Sequence, residues 1–278
     1  MGKVWLITGS SRGMGRNLVE EVLQRGDQVV AGARRPEQLN DLTAKYGTRI
    51  LPVALDVTDT EQVKTAVQQA VDTFGVLDVL VNNAGYANSS PIEETEEEDL
   101  RAQFETNFFG VAHMTKAVLP IMRKQRFGHI MQISSIGGRV GGSPGLSAYQ
   151  AAKFAVEGFS EVLVNEVKPL GIQVSIIEPG GFRTDWGGSS MQIRQVGEDY
   201  EETVGKMNRF RKERDGKMPG DPARAAKVIA DIANLEQPPL RLLLGSDALK
   251  LARESSRSRA AEAEQWAEVT VSTDFPAE

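Results

Sequence analysis

The sequence contains no cysteine in 278 residues. Disulfides, thiolate metal sites and cysteine nucleophiles are thereby excluded. Histidine is nearly absent: only His113 and His129 offer an imidazole, so a histidine-rich metal site is excluded and no metal is expected. Long apolar runs are missing as well. The opening run, Val4 to Ile7, is far too short for a signal-peptide core or for a span of ~20 apolar residues. A cytoplasmic protein with no membrane partner is expected. Nor is there an excess of basic charge. Lys and Arg number 32 against 38 Asp and Glu, and the net charge of −6 argues against nucleic acid or an acidic membrane as partner. Finally, there is no internal repeat, no Pro/Gly/Ser-rich linker and no break in composition. One domain over residues 1–278, long enough for a sizeable core, is the expectation.

What the chain does have is alternation. Short β-rich runs such as KVWLIT, QVVAGA, RILPVAL, LDVLVNN, HIMQIS and IQVSIIEP are separated by longer helical patterns. Apolar runs of four to seven residues between helices predict βαβ units. The expected fold is α/β: a Rossmann-type, doubly wound parallel sheet of about seven strands with helices on both faces. A long helix is predicted from about Glu97 to Lys124, with the acidic run Glu93 to Leu100 at its start, where carboxylates favour the positive end of the dipole. Past Gly187 the rhythm weakens. Residues from about 187 to 217 read as an inserted lid over a substrate, with apolar points at Met191, Ile193, Met207 and Phe210. Those four suit an apolar substrate or plain core packing equally. A helix capped by Asp221 with Pro222 at its first position follows. RLLLG reads as a last strand, and a peripheral helical tail from about 246 to 278 ends the chain.

The first strand runs into TGSSRGMG, with glycines at 9, 13 and 15. A glycine-rich turn between strand and helix lets the backbone approach a pyrophosphate, and the helix N-terminus supplies N–H donors. At the end of the second strand an acidic residue would bind the 2′-hydroxyl of NAD. Here Ala33 stands in that place and Arg34 follows, while Arg12 sits in the glycine loop. Two guanidiniums and no acid point to a 2′-phosphate, hence to NADP(H) over NAD(H).

Tyr149 and Lys153 are four apart in AYQAAKFAVEGF, so on a helix they share a face. A free phenol titrates near ~10, and a neighbouring ammonium is expected to lower that value toward the working range of a general acid/base. GGSPG at Gly141 to Gly145 fits the G-x-S-x-G pattern of hydrolases. Pro144, however, lacks the N–H an oxyanion hole needs there, and both histidines precede the serine.

Taken in order, TGSSRGMG, LDV, NNAG, NFFG, ISS, Tyr-x-x-x-Lys and PGGFRT give the chain from residue 3 to about 245 a resemblance to the short-chain dehydrogenase/reductase family, short single-domain branch. The arginine pair resembles that of NADPH-preferring carbonyl reductases, and SSIGGRVGG resembles hydroxysteroid and retinol dehydrogenase relatives. The resemblance implies hydride transfer between NADP(H) and a small alcohol or carbonyl substrate, in a homo-oligomer. It implies cofactor contacts from Gly9, Ser11, Arg12, Gly13, Met14 and Gly15, then from Arg34, Asp56, Val57, Asn83, Ala84 and Gly85. Pro179, Gly180 and Thr184 would follow, with Thr184 on the carboxamide. Tyr149 would be the acid/base and also a cofactor contact beside the nicotinamide, Lys153 would hold the nicotinamide ribose, and Asn107 would hold a water leading to solvent. Ser135 would donate to the substrate oxygen. It lies 14 residues before Tyr149, one more than is usual for the family, so Ser134 and Ser143 are rivals for that role. The alternative reading is a non-enzymatic NADP(H)-binding sensor on the same fold.

Overall fold

The computed structural model of the protein describes residues 2–184 and 191–275. The first residues of the expected lid (187–190) and the last of the tail (276–278) lie outside them.

Nine strands are found among the described residues: β1 Val4–Thr8, β2 Gln28–Ala33, β3 Ile50–Ala54, β4 Val79–Asn82, β5 Ala87–Ser89, β6 Gly128–Ile133, β7 Ile172–Pro179, β8 Met191–Ile193 and β9 Arg241–Leu244. The α-helices are α1 Gly13–Gln24, α2 Asn40–Tyr46, α3 Thr60–Phe74, α4 Glu97–Phe104, α5 Gly110–Gln125, α6 Ile136–Arg139, α7 Ser147–Val167, α8 Lys206–Arg214, α9 Pro222–Ile232, α10 Ser246–Gln265 and α11 Ala267–Val271. Seven strands form one parallel sheet in the order β3-β2-β1-β4-β6-β7-β9. From β1 the chain winds outward through β2 and β3, then returns to β4 and winds the other way. The reversal opens a crevice at the carboxyl ends of β1 and β4, the usual ligand position in such sheets.

Strand β1 shows why the layers form. All five residues of VWLIT are buried, and alternate side chains point to opposite faces. Trp5 and Ile7 join one core with Leu18, Val19, Val22 and Leu23 of α1 and Ala226, Ile229 and Ala230 of α9. Val4 and Leu6 join the other, with Val63 and Val67 of α3, Met114, Val118 and Met122 of α5, and Leu163 of α7. A strand buried on both faces has to be apolar throughout, so the sequence gives continuous runs there and not alternation. The capped helix starts as expected: the Asp221 carboxylate accepts from the N–H groups of Ala223 and Arg224, and Pro222 takes the first position of α9.

Two local features depart from the sequence reading. The long helix runs through α4 and α5, but residues Glu105–Phe109 between them form a π-type turn. Such single wide turns often sit at functional sites. The lid region also contains a strand: β8 pairs in parallel with β5, Ala87 against Met191 and Ser89 against Ile193. Among the described residues no helix is long and apolar enough to cross a membrane.

Candidate active site

The glycine loop lies at the mouth of the crevice. Gly9 (φ 66°) and Gly13 (φ 56°) adopt left-handed conformations that favour glycine. Gly15 is constrained by space: a Cβ there would lie 2.3 Å from the Gly9 carbonyl oxygen. Asn83 ties the loop to the end of β4. Its Nδ2 donates to the carbonyl oxygens of Thr8 (2.9 Å) and Gly9 (3.2 Å). The Thr8 hydroxyl in turn accepts from the backbone N–H groups of Asn83 and Ala84, each at 2.9 Å.

From this loop a cleft of about 1060 Å³ runs along the carboxyl ends of the strands. It is lined at one end by Ser11, Arg12, Met14, Arg34, Asp56 and Val57, and further along by Ala84, Gly85, Tyr149, Lys153, Pro179, Gly180 and Thr184. The Asp56 carboxylate is held in place by the N–H (3.0 Å) and hydroxyl (2.8 Å) of Thr58. Two of the residues expected to serve the cofactor or the chemistry do not line the cleft. Gly15 acts behind it, by allowing the loop to fold close. Asn107 is fully buried in the π-type turn, against the back of Gly85. Its amide donates to the carbonyls of Tyr86 and Gln103, both at 2.9 Å, and its oxygen accepts from the Tyr86 N–H at 3.1 Å.

At the middle of the cleft α7 presents Tyr149 and Lys153, both buried. The Lys153 ammonium donates to the Ile133 carbonyl at the end of β6 (2.7 Å) and lies 5.9 Å from the centre of the Tyr149 ring. Ser135, which follows β6, holds its hydroxyl near enough to the Tyr149 phenol to favour its charged form. It also caps α6, accepting from the Gly137 N–H at 3.0 Å. Ser134 is turned inward under Gly138. Its hydroxyl makes no well-formed hydrogen bond but lies near enough to the Glu157 carboxyl to favour its ionised state. Ser143 is engaged elsewhere, accepting from Arg211 Nη2 at 2.8 Å. Of the three serines, only Ser135 meets the phenol in this structure.

The expected acidification of the phenol is overturned. Burial pushes Tyr149 up to about 12, against the pull of the Ser135 hydroxyl. Lys153 is itself pushed down to about 8 by burial, with the Glu157 carboxylate working the other way. Spacing showed that the two groups share a face, but not that the face is sealed from water, and desolvation of the anion wins.

Several residues reach the cleft that the sequence reading missed. Arg35 and Gln38 join Arg34 and Arg12 beside Ala33, where no carboxylate stands. Arg35 had a signal, since it adjoins Arg34. Asp247, on the first turn of α10, accepts from the Gly181 N–H at 2.7 Å and so braces the Pro179–Thr184 loop. Arg211 of α8 donates to Ser89 (3.0 Å), Asn208 (3.0 Å), Ser143 (2.8 Å) and the Pro144 carbonyl (2.6 Å), fastening α8 to the loop before α7. Nothing local in the sequence joins those segments. Met191, Met207 and Phe210 line the same end, while Ile193 packs beside Tyr149, Ala87 and Met191. Among the described residues no cluster could hold a metal ion.

The glycine cradle, the cleft volume and the arginines at one end fit a nicotinamide dinucleotide. The short chain dehydrogenase family model matches residues 3–194. This chain belongs to that family. As a short chain dehydrogenase it is an oxidoreductase. It is 48% identical to oxidoreductase BOA17 of Botryotinia fuckeliana over 98% of this chain and 100% of the relative. A short-chain dehydrogenase of Streptomyces avermitilis of known structure is 42% identical, with a TM-score of 0.91 and 99% of each chain covered. A solved Burkholderia cenocepacia short chain dehydrogenase in complex with NADP is 28% identical, with a TM-score of 0.74, covering 95% of this chain and 97% of the other. A Brucella melitensis 3-ketoacyl-(acyl-carrier-protein) reductase complexed with NADH is 25% identical, with a TM-score of 0.73, covering 87% and 96%.

Proposed function

We propose that this short chain dehydrogenase reduces a small carbonyl compound with NADPH, Tyr149 giving the proton to the carbonyl oxygen. The observation that carries this reading is the geometry of the cleft: Tyr149, Ser135 and Lys153 line it together beyond the glycine loop, with the Lys153 ammonium 5.9 Å from the centre of the phenol ring. A phenol placed there can give its proton to a carbonyl oxygen as a general acid.

The bound cofactor supplies the hydride. This chain's residues do the rest. Ser135 holds the substrate oxygen beside the phenol and stabilises the charge that develops on it. Lys153 places a positive charge next to the phenol as its proton leaves, and would hold the ribose. Asn107 holds the Gly85–Tyr86 backbone that forms the wall beside Lys153. Asp56 and Val57 would flank the adenine, and Thr184 would meet the carboxamide. Arg12 and Arg34, with Arg35 beside them, would bind a 2′-phosphate, and no carboxylate at Ala33 competes. Met191, Met207 and Phe210 give the substrate end an apolar wall. The side chains of Phe154 and Val162 on α7 are exposed and suit the contact of a homo-oligomer.

NADPH consumption measured against a panel of aldehydes and ketones tests the reading, with NADH alongside. NADPH binding with no turnover on any carbonyl would favour the sensor, a reading opposed by the presence of both Tyr149 and Lys153.

A further inference from the structure

The substrate end of the cleft carries positive charge that the proposed chemistry does not use. Helix α8 places Met207, Phe210, Arg211 and Arg214 in the cleft, and their spacings of three and four residues put them on one face. That face is fixed close to Tyr149. Arg211 donates to Ser89 of β5, to Ser143 and to the Pro144 carbonyl just before α7. Strand β5 also carries Ala87, which packs with Met191 and Tyr149. The face is apolar where α8 begins and cationic where it ends.

Among the described residues neither arginine has an anionic partner. The acceptors of Arg211 are two hydroxyls, the Asn208 amide oxygen and a backbone carbonyl, all of them neutral. They account for its donors and leave its charge uncompensated, and burial lowers it to about 10. Arg214 is exposed, with its guanidinium over the Phe210 ring at 5.4 Å. That contact uses no hydrogen-bond acceptor, so the N–H fork of Arg214 has no acceptor among the described residues. Asp215 also lines the cleft and forms an ion pair with neither arginine. Two like charges three residues apart on a helix repel each other. Fastening the loop explains Arg211; nothing in the fold explains a second cation beside it with its donors open to the cleft.

We propose that the substrate is an oxo acid, its carboxylate bound by Arg214 with the charge of Arg211 behind it and its apolar chain lying on Met207 and Phe210. The proposal rests on the reductase reading of the site and names the class of carbonyl compound it takes. A guanidinium fork matches a carboxylate through two parallel N–H···O bonds, and one open fork suits one carboxylate. Arg211, held by its neutral partners, adds positive field without having to move. This pair belongs to a different segment from Arg12, Arg34 and Arg35, which the 2′-phosphate of the cofactor would occupy.

The test is kcat/KM with NADPH for levulinate and its longer homologues, each beside its own methyl ester, which has the same chain and no charge. The wild type favours at least one acid over its ester by about tenfold. The advantage shrinks as salt is raised. Arg214→Gln cuts that acid-to-ester ratio by about tenfold, chiefly through KM, as loss of a binding contact away from the reacting atoms should. Arg214→Lys, which keeps the charge, keeps most of the ratio. A purely structural arginine would lower acid and ester together and leave the ratio alone. A second readout needs no turnover: calorimetric titration of the NADP+-loaded protein with the preferred acid shows the same weakening in Arg214→Gln. Esters preferred throughout by the wild type, an unchanged ratio in Arg214→Gln, or a preference confined to dihydroxyacetone phosphate would overturn the proposal. Acid binding that depends on Arg214 in a protein that reduces no carbonyl would uphold the anion site and sink the reductase reading instead.

Discussion

The Lys153 ammonium lies 5.9 Å from the centre of the Tyr149 ring, and both residues line one cleft at the carboxyl ends of the strands. Burial acts on the two in opposite senses, raising the phenol and lowering the amine, so each is held closer to its uncharged form.

Tyr149→Phe removes the donor and keeps the ring. Carbonyl reduction should fall by about 100- to 10,000-fold, the span of general acid catalysis. NADPH affinity, measured by fluorescence titration, should stay within about twofold of the wild type, because the phenol proton is not a cofactor contact in this scheme. Retained kcat would remove Tyr149 from its role.

The serines separate by orientation. Ser135→Ala should lower kcat by about 100-fold, the order found for one lost donor to a developing oxyanion. Ser134→Ala, whose hydroxyl is turned inward under Gly138, should change kcat by less than about threefold. Steady-state kinetics of the two variants side by side decides the matter, and the reverse order would return Ser134 to the role.

Arg34→Asp replaces a phosphate partner with a ribose acceptor. The ratio of kcat/KM with NADPH to that with NADH should drop by about 10- to 100-fold, the equivalent of one or two lost hydrogen bonds to a charged group. Arg35 and Arg12 remain, so the change should be partial. An unchanged ratio would mean that the guanidiniums at this end are incidental.

His129 gives the fold a pH dependence separate from catalysis. The ring is 3% exposed on β6, its Nε2 sits 3.0 Å from the Ser175 hydroxyl, and burial pushes it down to about 4. An unfolded chain takes up this proton near ~6.5, and the folded chain only near 4. The contribution to stability is therefore complete above pH 6.5 and is lost as the pH falls toward 4, roughly 3 kcal/mol in all. Urea midpoints measured from pH 7 to pH 5 should fall, and in His129→Gln the slope should flatten.

The fold and most of the site were legible in the sequence because they rest on local signals. Buried parallel strands have to be continuous apolar runs, as VWLIT is, and the glycine loop marks its own turn. Tyr149 and Lys153 share a face by spacing alone. What was not legible depends on distant parts of the chain. Strand β8 is three residues long and exists because β5 lies beside it. Asp247 and Arg211 enter the site from segments 66 and more residues away from the loops they brace. The direction of the Tyr149 shift depends on how much protein covers the ring, and no spacing reports that. The π-type turn likewise has no residue signature in ETNFF.

That turn makes residue number, and not only residue type, a constraint on this enzyme. A wide turn holds one residue more than an α turn, so deleting one residue between Glu105 and Phe109 would restore α winding while the flanking helices keep their places. The stripe of Met114, Val118 and Met122 on the sheet would be undisturbed. The loss would fall on Asn107, whose amide the widened turn aims at Tyr86, leaving the backbone beside Lys153 without its brace. The length of this stretch is thus under the same constraint as its asparagine.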